Sequence, residues 1–290
     1  MILYSVTVPA RSRVTVRELW HIMITAANRA ANSKISQKDV LTRMSIETYG
    51  TGERLRVAAS LSVPFGIERR IILLPVPTTR DGVTVTATDI RLSEVISDVG
   101  ENTYIFGYGI PSEISCAATG DGALVYDLSL DEEYLLENAS LTALGAVGYI
   151  LTTARRAVCE SSVGIIGYGR IGEALSRLLL FLGASVSVFT TRDSLRRSLG
   201  ELGLGARGMS SPLDLSGIDI LINTAPRDLS SEFLHGLPLG MRLIELASGE
   251  NFKGVEGVER LPGLPERYFP ESAGRTYASA VKRALLGRIG

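Results

Sequence analysis

The sequence predicts an α/β protein made of two Rossmann-like domains, each with a parallel, doubly wound sheet, and with a cleft between them. Two observations predict this fold class. Apolar runs rich in β-branched residues alternate along the chain with segments of helical periodicity, which is typical of parallel strands joined by crossover helices. The chain has 290 residues, about twice the ~150 residues of an average domain, so two domains of ordinary size are expected.

The elements are predicted in chain order from these patterns. A strand is expected at residues 2–8 and a helix at 16–32, whereas residues 31–50 have weak periodicity. The clearest strands are expected at residues 70–76, 103–107, 162–166, 185–189, 219–223 and 242–246. The last four alternate with helices predicted at residues 171–182 and 195–202 and with a short connection at 230–235, so they are expected to form one sheet wound by βαβ units.

A domain boundary is predicted near Asn138. Helical periodicity over residues 138–160 begins at this asparagine, which is suited to cap a helix, and has Arg155 and Arg156 near its end. A long helix that leads into a new strand commonly connects two domains. We therefore expect a substrate-side domain at residues 1–137 and a nucleotide-binding domain at residues 138–272. A terminal helix at residues 273–290 is expected to pack back on the first domain.

Composition favours a small-molecule ligand and a cytoplasmic location. Thirty basic and 31 acidic residues give a net charge of -1, which supplies no electrostatic reason to bind nucleic acid or an anionic membrane. The start of the chain does not have the pattern of a signal peptide, and no apolar run reaches the ~20 residues of a membrane span. Two cysteines and two histidines, in no metal-ligand spacing, predict a reducing compartment and no metal site.

A glycine-rich loop carries the clearest functional signal. The segment VGIIGYGRIGEAL places Gly167, Gly169 and Gly172 in the G-x-G-x-x-G spacing, after an apolar strand and before a helix. The first glycine permits a tight turn, the second lets the backbone approach a pyrophosphate, and the third lets the helix pack close to the strand. A glycine turn without a ligand is the alternative, but the context favours a dinucleotide site that includes Arg170 and Ile171.

The end of the next strand favours NADP over NAD. Dinucleotide sites that prefer NAD usually have an acidic residue here to bind the ribose hydroxyls. This chain has Thr190, Thr191 and Arg192 instead, and a guanidinium can pair with a 2′-phosphate. The alternative is that Arg192 is a solvated loop residue and that Asp193 binds the ribose.

Two later loops complete the predicted cofactor site. Thr224, Ala225 and Pro226 follow the fourth strand of the sheet and should border the adenosine side, although a proline can also simply end a strand. Ala247 follows the next strand and is expected near the nicotinamide. This strand end, IELASGEN, has no arginine, and no histidine follows His235. The arginine and histidine that a hydroxyacid dehydrogenase needs are therefore missing, which excludes that class.

A series of short motifs in the sequence resembles those of the dipicolinate synthase A-subunit family of spore-forming bacteria. The motifs that carry the resemblance lie in order over residues 70–290 and read LPVPTT, FGYG, ENASLTALG, IGYGRIG, INTAP, IELASG and LPGLPERYFPESAG. The sequence departs from the family pattern in four places, one of which is a longer Leu-Pro-Gly loop. TVPARSR stands where the family has a Gly-Gly-Asp-x-Arg turn, Leu144 replaces an acidic residue, and Gly249 to Asn251 replace Pro-Gly-Gly. These departures concern the substrate side more than the cofactor side.

The resemblance implies a reaction and a set of partners. The family uses NADP to oxidise dihydrodipicolinate to pyridine-2,6-dicarboxylate during sporulation, in the mother-cell cytoplasm, together with the flavoprotein-like B subunit of dipicolinate synthase. A homo-oligomer is also expected, and no catalytic side chain is identified. The residues expected to bind the dicarboxylate, with Ser140 and Thr142 at a helix start, are Thr78, Thr79, Arg80, Ser140, Thr142, Ser248, Ser272 and Arg275. A non-catalytic NADP-binding protein, or another NADP-dependent reductase of the same architecture, are the alternatives.

Overall fold

The computed structural model describes residues 11–15, 45–50, 52–61, 69–234 and 236–286, which form two compact units. One unit comprises residues 1–135 and 270–290, and the other comprises residues 136–269. The strand predicted at residues 2–8 and the helix predicted at 16–32 lie outside the described residues. The strand at Ser45–Tyr49 falls in a segment for which the sequence predicts no element.

The N-terminal unit contains a five-stranded sheet in the order β1-β2-β3-β4-β5. Its strands are β1 (Arg11–Thr15), β2 (Ser45–Tyr49), β3 (Arg70–Leu73), β4 (Thr103–Gly107) and β5 (Leu124–Asp127). β2 to β5 are parallel neighbours, whereas β1 pairs antiparallel with β2. The antiparallel edge strand is an addition to the predicted parallel sheet, and the order of these described strands does not reverse.

Among the described residues, four helices accompany this sheet in the N-terminal unit. They are α1 (Glu53–Leu61), α2 (Leu92–Val95), α3 (Ser112–Gly120) and, as the final helix of the chain, α8 (Pro270–Leu286). The two faces of the sheet are buried separately because side chains alternate along a strand. Ile71 and Leu73 belong to a cluster with Tyr134 and Tyr277, and Ile72 lies in a second cluster on the other face.

The C-terminal unit contains a six-stranded parallel sheet in the order β11-β10-β9-β6-β7-β8. The strands are β6 (Ser162–Ile166), β7 (Ser185–Phe189), β8 (Gly205–Arg207), β9 (Ile220–Asn223), β10 (Arg242–Glu245) and β11 (Val258–Arg260). Its helices include α5 (Arg170–Phe181), α6 (Asp193–Glu201) and α7 (Leu264–Tyr268). The strand order reverses between β6 and β9, which is the doubly wound pattern. The predicted α/β class with two sets of parallel strands is thus confirmed.

Helix α4 (Glu132–Thr153) begins earlier than the sequence suggests. The helix start predicted at Asn138 is wrong because Asp131 provides the cap: its Oδ1 accepts a hydrogen bond from the backbone N–H of Tyr134 at 3.0 Å. This acceptor satisfies an N–H group of the first turn, and the helix continues through Asn138 without a break. By length and composition α4 could cross a membrane. Its Ala143, Ala146 and Ile150 are fully buried, whereas Leu136, Leu144 and Leu151 are exposed.

Candidate functional site

The loop between β6 and α5 packs so closely against the first turn of α5 that one position in each requires glycine. Gly167 has a φ of +91°, a region that residues with a side chain rarely adopt. A Cβ atom on Gly167 would lie 2.8 Å from the Cβ of Ala225, and one on Gly172 would lie 2.4 Å from the oxygen of Gly167. These contacts fix the turn and bring the start of α5 against it.

Gly169, in contrast, faces open space. It precedes the first helical residue of α5. Apart from its two neighbours in the chain, no heavy atom of the described residues lies within 4 Å of the position that its Cβ would occupy. The N–H groups of the first helical turn point in this direction, and a helix N-terminus favours an anion. The loop therefore has the room, the donors and the partial positive charge that a pyrophosphate needs, and its residues fit a dinucleotide.

The carboxyl end of β7 lies beside this loop. The backbone N–H of Gly167 donates to the oxygen of Phe189 at 3.0 Å. Arg192 then reaches back, since its Nη2 donates to the backbone oxygen of Tyr168 at 2.9 Å. Thr190 is buried and Thr191 is exposed. A cation thus stands over the glycine loop where NAD-selective sites have a carboxylate.

The carboxylate of Asp193 is engaged within its own helix. It is the first residue of α6, and its carboxylate forms an ion pair with Arg196 in the next turn of the same helix. An acidic residue in the first turn of a helix also interacts favourably with the helix dipole. Both interactions give Asp193 a local structural role.

The loop after β9 supports the glycine turn. The hydroxyl of Thr224 donates to the backbone oxygen of Ile166 at 2.9 Å, and the N–H of Thr224 bonds to the same oxygen at 3.0 Å. Ala225 packs against Gly167, and Pro226 is exposed. Thr224 and Ala225 thus shape the loop from behind, and the structure brings them together with Gly167 and Gly172.

A buried polar group at the ends of β9 and β10 was not recognised from the sequence. Glu245 is 4% exposed, and its Oε1 accepts hydrogen bonds from Asn223 Nδ2 at 3.0 Å and from the N–H of Ala247 at 2.9 Å. Among the described residues, its Oε2 has no hydrogen-bond partner. Burial raises the pKa of this carboxyl, and the neighbouring donors offset part of the effect. An acidic residue ending the apolar strand RLIE was the available signal.

The predicted substrate residues of the N-terminal unit form a hydrogen-bonded loop after β3. Thr78 is buried, and its Oγ1 accepts from the N–H of Tyr108 at 2.8 Å. The hydroxyl of Thr79 donates to Asp81 at 2.9 Å, and Arg80 is exposed. Hydrogen bonds from Thr84, Val83 and Thr79 hold the pKa of Asp81 well below its usual range. Both threonines therefore already contribute to the shape of this loop.

The other predicted substrate residues lie on helices or at the end of a strand. Ser140 and Thr142 are in the interior of α4 and not at its start, and their hydroxyls donate to the oxygens of Leu136 and Asn138, one turn back. Ser248, just after β10, is exposed. Ser272 and Arg275 are exposed on α8, and Arg275 forms an ion pair of 3.6 Å with Glu271.

A surface depression also lies at the opposite edge of the C-terminal sheet. Arg156, Asp219 and Leu239 line it, at the amino ends of β6, β9 and β10. Ligands of open parallel sheets bind outside the carboxyl ends of the strands, at the reversal of strand order. The glycine loop lies at that end, so we assign the candidate site there.

Comparisons with known proteins show what the chain is similar to. No family model matches the chain. It is 28% identical over 163 residues to the A subunit of dipicolinate synthase from Bacillus subtilis (strain 168), a match that covers 53% of this chain and 55% of the relative. The chain thus spans about half the length of the curated relative that it matches.

Two solved structures share the fold. The structure of the dipicolinate synthase A subunit from Bacillus halodurans superposes with a TM-score of 0.66 at 22% identity, over 80% of this chain and 93% of that chain. The corresponding dipicolinate synthase structure from Bacillus subtilis gives a TM-score of 0.64 at 24% identity, over 78% and 80%. The resemblance predicted from the sequence motifs is therefore confirmed.

Proposed function

We propose that this chain is an NADP-dependent oxidoreductase similar to the A subunit of dipicolinate synthase, which oxidises dihydrodipicolinate to pyridine-2,6-dicarboxylate. The observation that carries the proposal is the glycine loop between β6 and α5, with Gly169 open to a ligand and Arg192 bonded to Tyr168. The sequence similarity to the Bacillus subtilis protein supports the choice of substrate.

The cofactor would be held by the carboxyl end of the C-terminal sheet. The first turn of α5, from Arg170 to Gly172, would bind the pyrophosphate, because its backbone donors face the open side of Gly169. Arg192 would pair with the 2′-phosphate of the ribose, with Thr190 and Thr191 beside it. The backbone after β10, near Ala247, would border the nicotinamide.

The protein contributes orientation more than acid–base chemistry in this reaction. Bound NADP supplies the hydride acceptor, and aromatisation of the ring favours the oxidation. The side chains must then hold a rigid dianion in one orientation, for which arginine forks and hydroxyl donors are suited. Thr79, Arg80 and Ser248 are proposed for this task because each follows the carboxyl end of a parallel strand. Thr78, Ser140, Thr142, Ser272 and Arg275 remain further candidates.

The biological setting is part of the same proposal. As in the family that the chain resembles, the flavoprotein-like B subunit of dipicolinate synthase would be the partner, and the chain would form a homo-oligomer. It would act in the mother-cell cytoplasm during sporulation. Neither nucleic acid nor a membrane is proposed as a partner.

The proposal is tested by turnover. The purified chain, first by itself and then with the flavoprotein-like partner, is incubated with NADP and dihydrodipicolinate made in situ, and NADPH and the ultraviolet absorption of the pyridine product are followed together. We expect both signals to rise in parallel. NADPH binding with no turnover under either condition, and no protection by pyridine-2,6-dicarboxylate in a thermal melt, would contradict the oxidoreductase and favour a nucleotide-binding scaffold.

A further inference from the structure

Arg54 is a buried arginine without a carboxylate partner in the described part of the chain. It lies in the first turn of α1 and is 3% exposed. None of the ion pairs among the described residues includes it. Arginine is almost never fully buried unless it is paired, since an unpaired buried charge is costly.

The edge of the guanidinium that normally binds a carboxylate is unused. Nη1 of Arg54 donates to the hydroxyl of Tyr134 at 3.4 Å, whereas Nε is buried with no hydrogen-bond partner among the described residues. Arg56, Arg70 and Arg242 show the usual arrangement, because each donates through both Nε and Nη2 to one glutamate. In Arg54 the same two-donor edge has no described acceptor.

Arg54 lies near the carboxyl ends of the strands in the N-terminal sheet. The ring of its partner Tyr134 lies 6.3 Å from the ring of Tyr277. The hydroxyl of Tyr277 is 2.9 Å from the backbone oxygens of Leu74 and Phe106, where β3 and β4 end. Burial raises the pKa of Tyr277, and the nearby charge of Arg54 opposes that effect. Ligands of parallel sheets bind at such strand ends.

The acidic residue at the end of β5 is already engaged. Asp127, at the end of β5, accepts hydrogen bonds from the N–H groups of Gly109, Ile110 and Ser129 at 2.8–3.0 Å. Three donors around one carboxylate fix the loop after β4 and satisfy the charge locally. Asp127 therefore does not account for the buried cation.

We propose that Arg54 binds a carboxylate group of the small-molecule ligand, through the Nε and Nη2 edge, at the carboxyl end of the N-terminal sheet. A carboxylate there would supply the two acceptors that three other arginines obtain from glutamates. A planar, two-donor fork also selects a carboxylate over a neutral group of the same shape. The identity of the acid as pyridine-2,6-dicarboxylate rests on the proposed function, but the carboxylate site itself does not.

The experiment compares three variants by calorimetric titration. Arg54→Met removes the charge, Arg54→Lys keeps a cation without the fork, and Arg56→Met is the matched control. Arg56 lies on the same helix, exposed and paired with Glu53. The titrants are pyridine-2,6-dicarboxylate, pyridine-2-carboxylate and the uncharged pyridine-2,6-dimethanol. NADPH binding and a thermal melt report whether each variant is folded.

We expect both Arg54 variants to bind the carboxylates at least about tenfold more weakly than wild type, with Arg56→Met unchanged and NADPH binding retained. If Arg54→Met does not fold, Arg54→Lys decides alone. A second outcome separates the two proposals. If the Arg54 variants lose equal affinity for both pyridine acids, and wild type neither prefers the dicarboxylate nor turns over, the carboxylate site is supported and the proposed reaction is contradicted. Binding of pyridine-2,6-dicarboxylate by Arg54→Lys at wild-type strength, or no binding of any carboxylate by wild type, would overturn the inference.

Discussion

The guanidinium of Arg192 is hydrogen-bonded to the backbone oxygen of Tyr168, 24 residues earlier, at 2.9 Å. This bond joins the segment that follows β7 to the middle of the glycine loop. A cation is thereby held beside the place where the pyrophosphate and ribose of a dinucleotide would lie. The proposed preference for NADP rests on this contact, and it can be tested by substitution.

Arg192→Ala should weaken NADPH binding by roughly tenfold or more and leave NADH binding little changed. A hydrogen bond to a charged group contributes about 1.5–3 kcal/mol. NADH lacks the 2′-phosphate that would accept this bond, so its binding does not depend on Arg192. Calorimetric titration with both cofactors measures the difference. Arg197→Ala is the matched control, because Arg197 is an exposed arginine of α6. An equal loss for both cofactors would contradict the assignment.

Asp193→Asn should change the binding of NADPH and of NADH by less than about twofold. The carboxylate is paired with Arg196 and lies in the first turn of α6, so its loss should affect the helix and not the cofactor. Titration of both cofactors, beside a thermal melt, separates the two effects. A selective loss of NADH binding would instead assign the ribose to Asp193.

Gly172→Ala should destabilise the protein by about 1–3 kcal/mol, since its methyl group would lie 2.4 Å from the oxygen of Gly167. Gly169→Ala should fold like wild type but bind NADPH at least about tenfold more weakly, because the methyl group would fill the space left for the pyrophosphate. Denaturant unfolding and calorimetry measure the two quantities.

Gly200→Ala is the control for both glycine substitutions. Gly200 lies in α6, and outside the backbone of this helix no heavy atom of the described residues lies within 4 Å of its Cβ position. Alanine should therefore stabilise the helix by about 0.5–1 kcal/mol. Wild-type NADPH binding by Gly169→Ala would show that the open face of the loop is not the pyrophosphate site.

Glu245→Gln should raise the stability of the protein at about pH 8, and raise it less at about pH 5. Burial raises the folded-state pKa of Glu245 above its ordinary value of 4.5, so the folded state holds the proton more tightly than the unfolded state. Stability from this group is therefore present at low pH and is lost as pH rises through the raised pKa. Glutamine does not ionise, so the variant does not lose this stability as pH rises. Thermal melts of both proteins across this pH range measure the difference in stability.

Glu259→Gln supplies a control of opposite sign on the neighbouring strand β11. The bidentate bond from Arg242 lowers the pKa of Glu259. Its stabilising contribution is present above the ordinary pKa and is lost as pH falls through the lowered one, so the variant should be less stable than wild type at neutral pH by about 1 kcal/mol. The same pH trend in both variants would contradict the role of burial at Glu245.

Much of the C-terminal sheet could be predicted from the sequence. The strands at Ser162–Ile166 and Ser185–Phe189 have the predicted bounds, and α5 differs by one residue at each end. These segments combine apolar runs rich in β-branched residues with glycines at the turns between them. The local conformational preference of the residues therefore agrees with the tertiary packing. The predicted start of α4 was wrong because Asp131 and Asn138 are both suitable caps, and periodicity alone does not choose between them.

The sequence by itself determined the α/β class, the dinucleotide loop and the likeness to one family, because these depend on residues close together in the chain. Only the tertiary structure showed that Arg192 bonds to Tyr168, that Glu245 is buried with an oxygen that has no described partner, and that Arg54 is buried without a described carboxylate. Charged residues such as these resemble surface residues in a sequence. Burial and partners arise from contacts between distant segments, and those contacts exist only after the chain has folded.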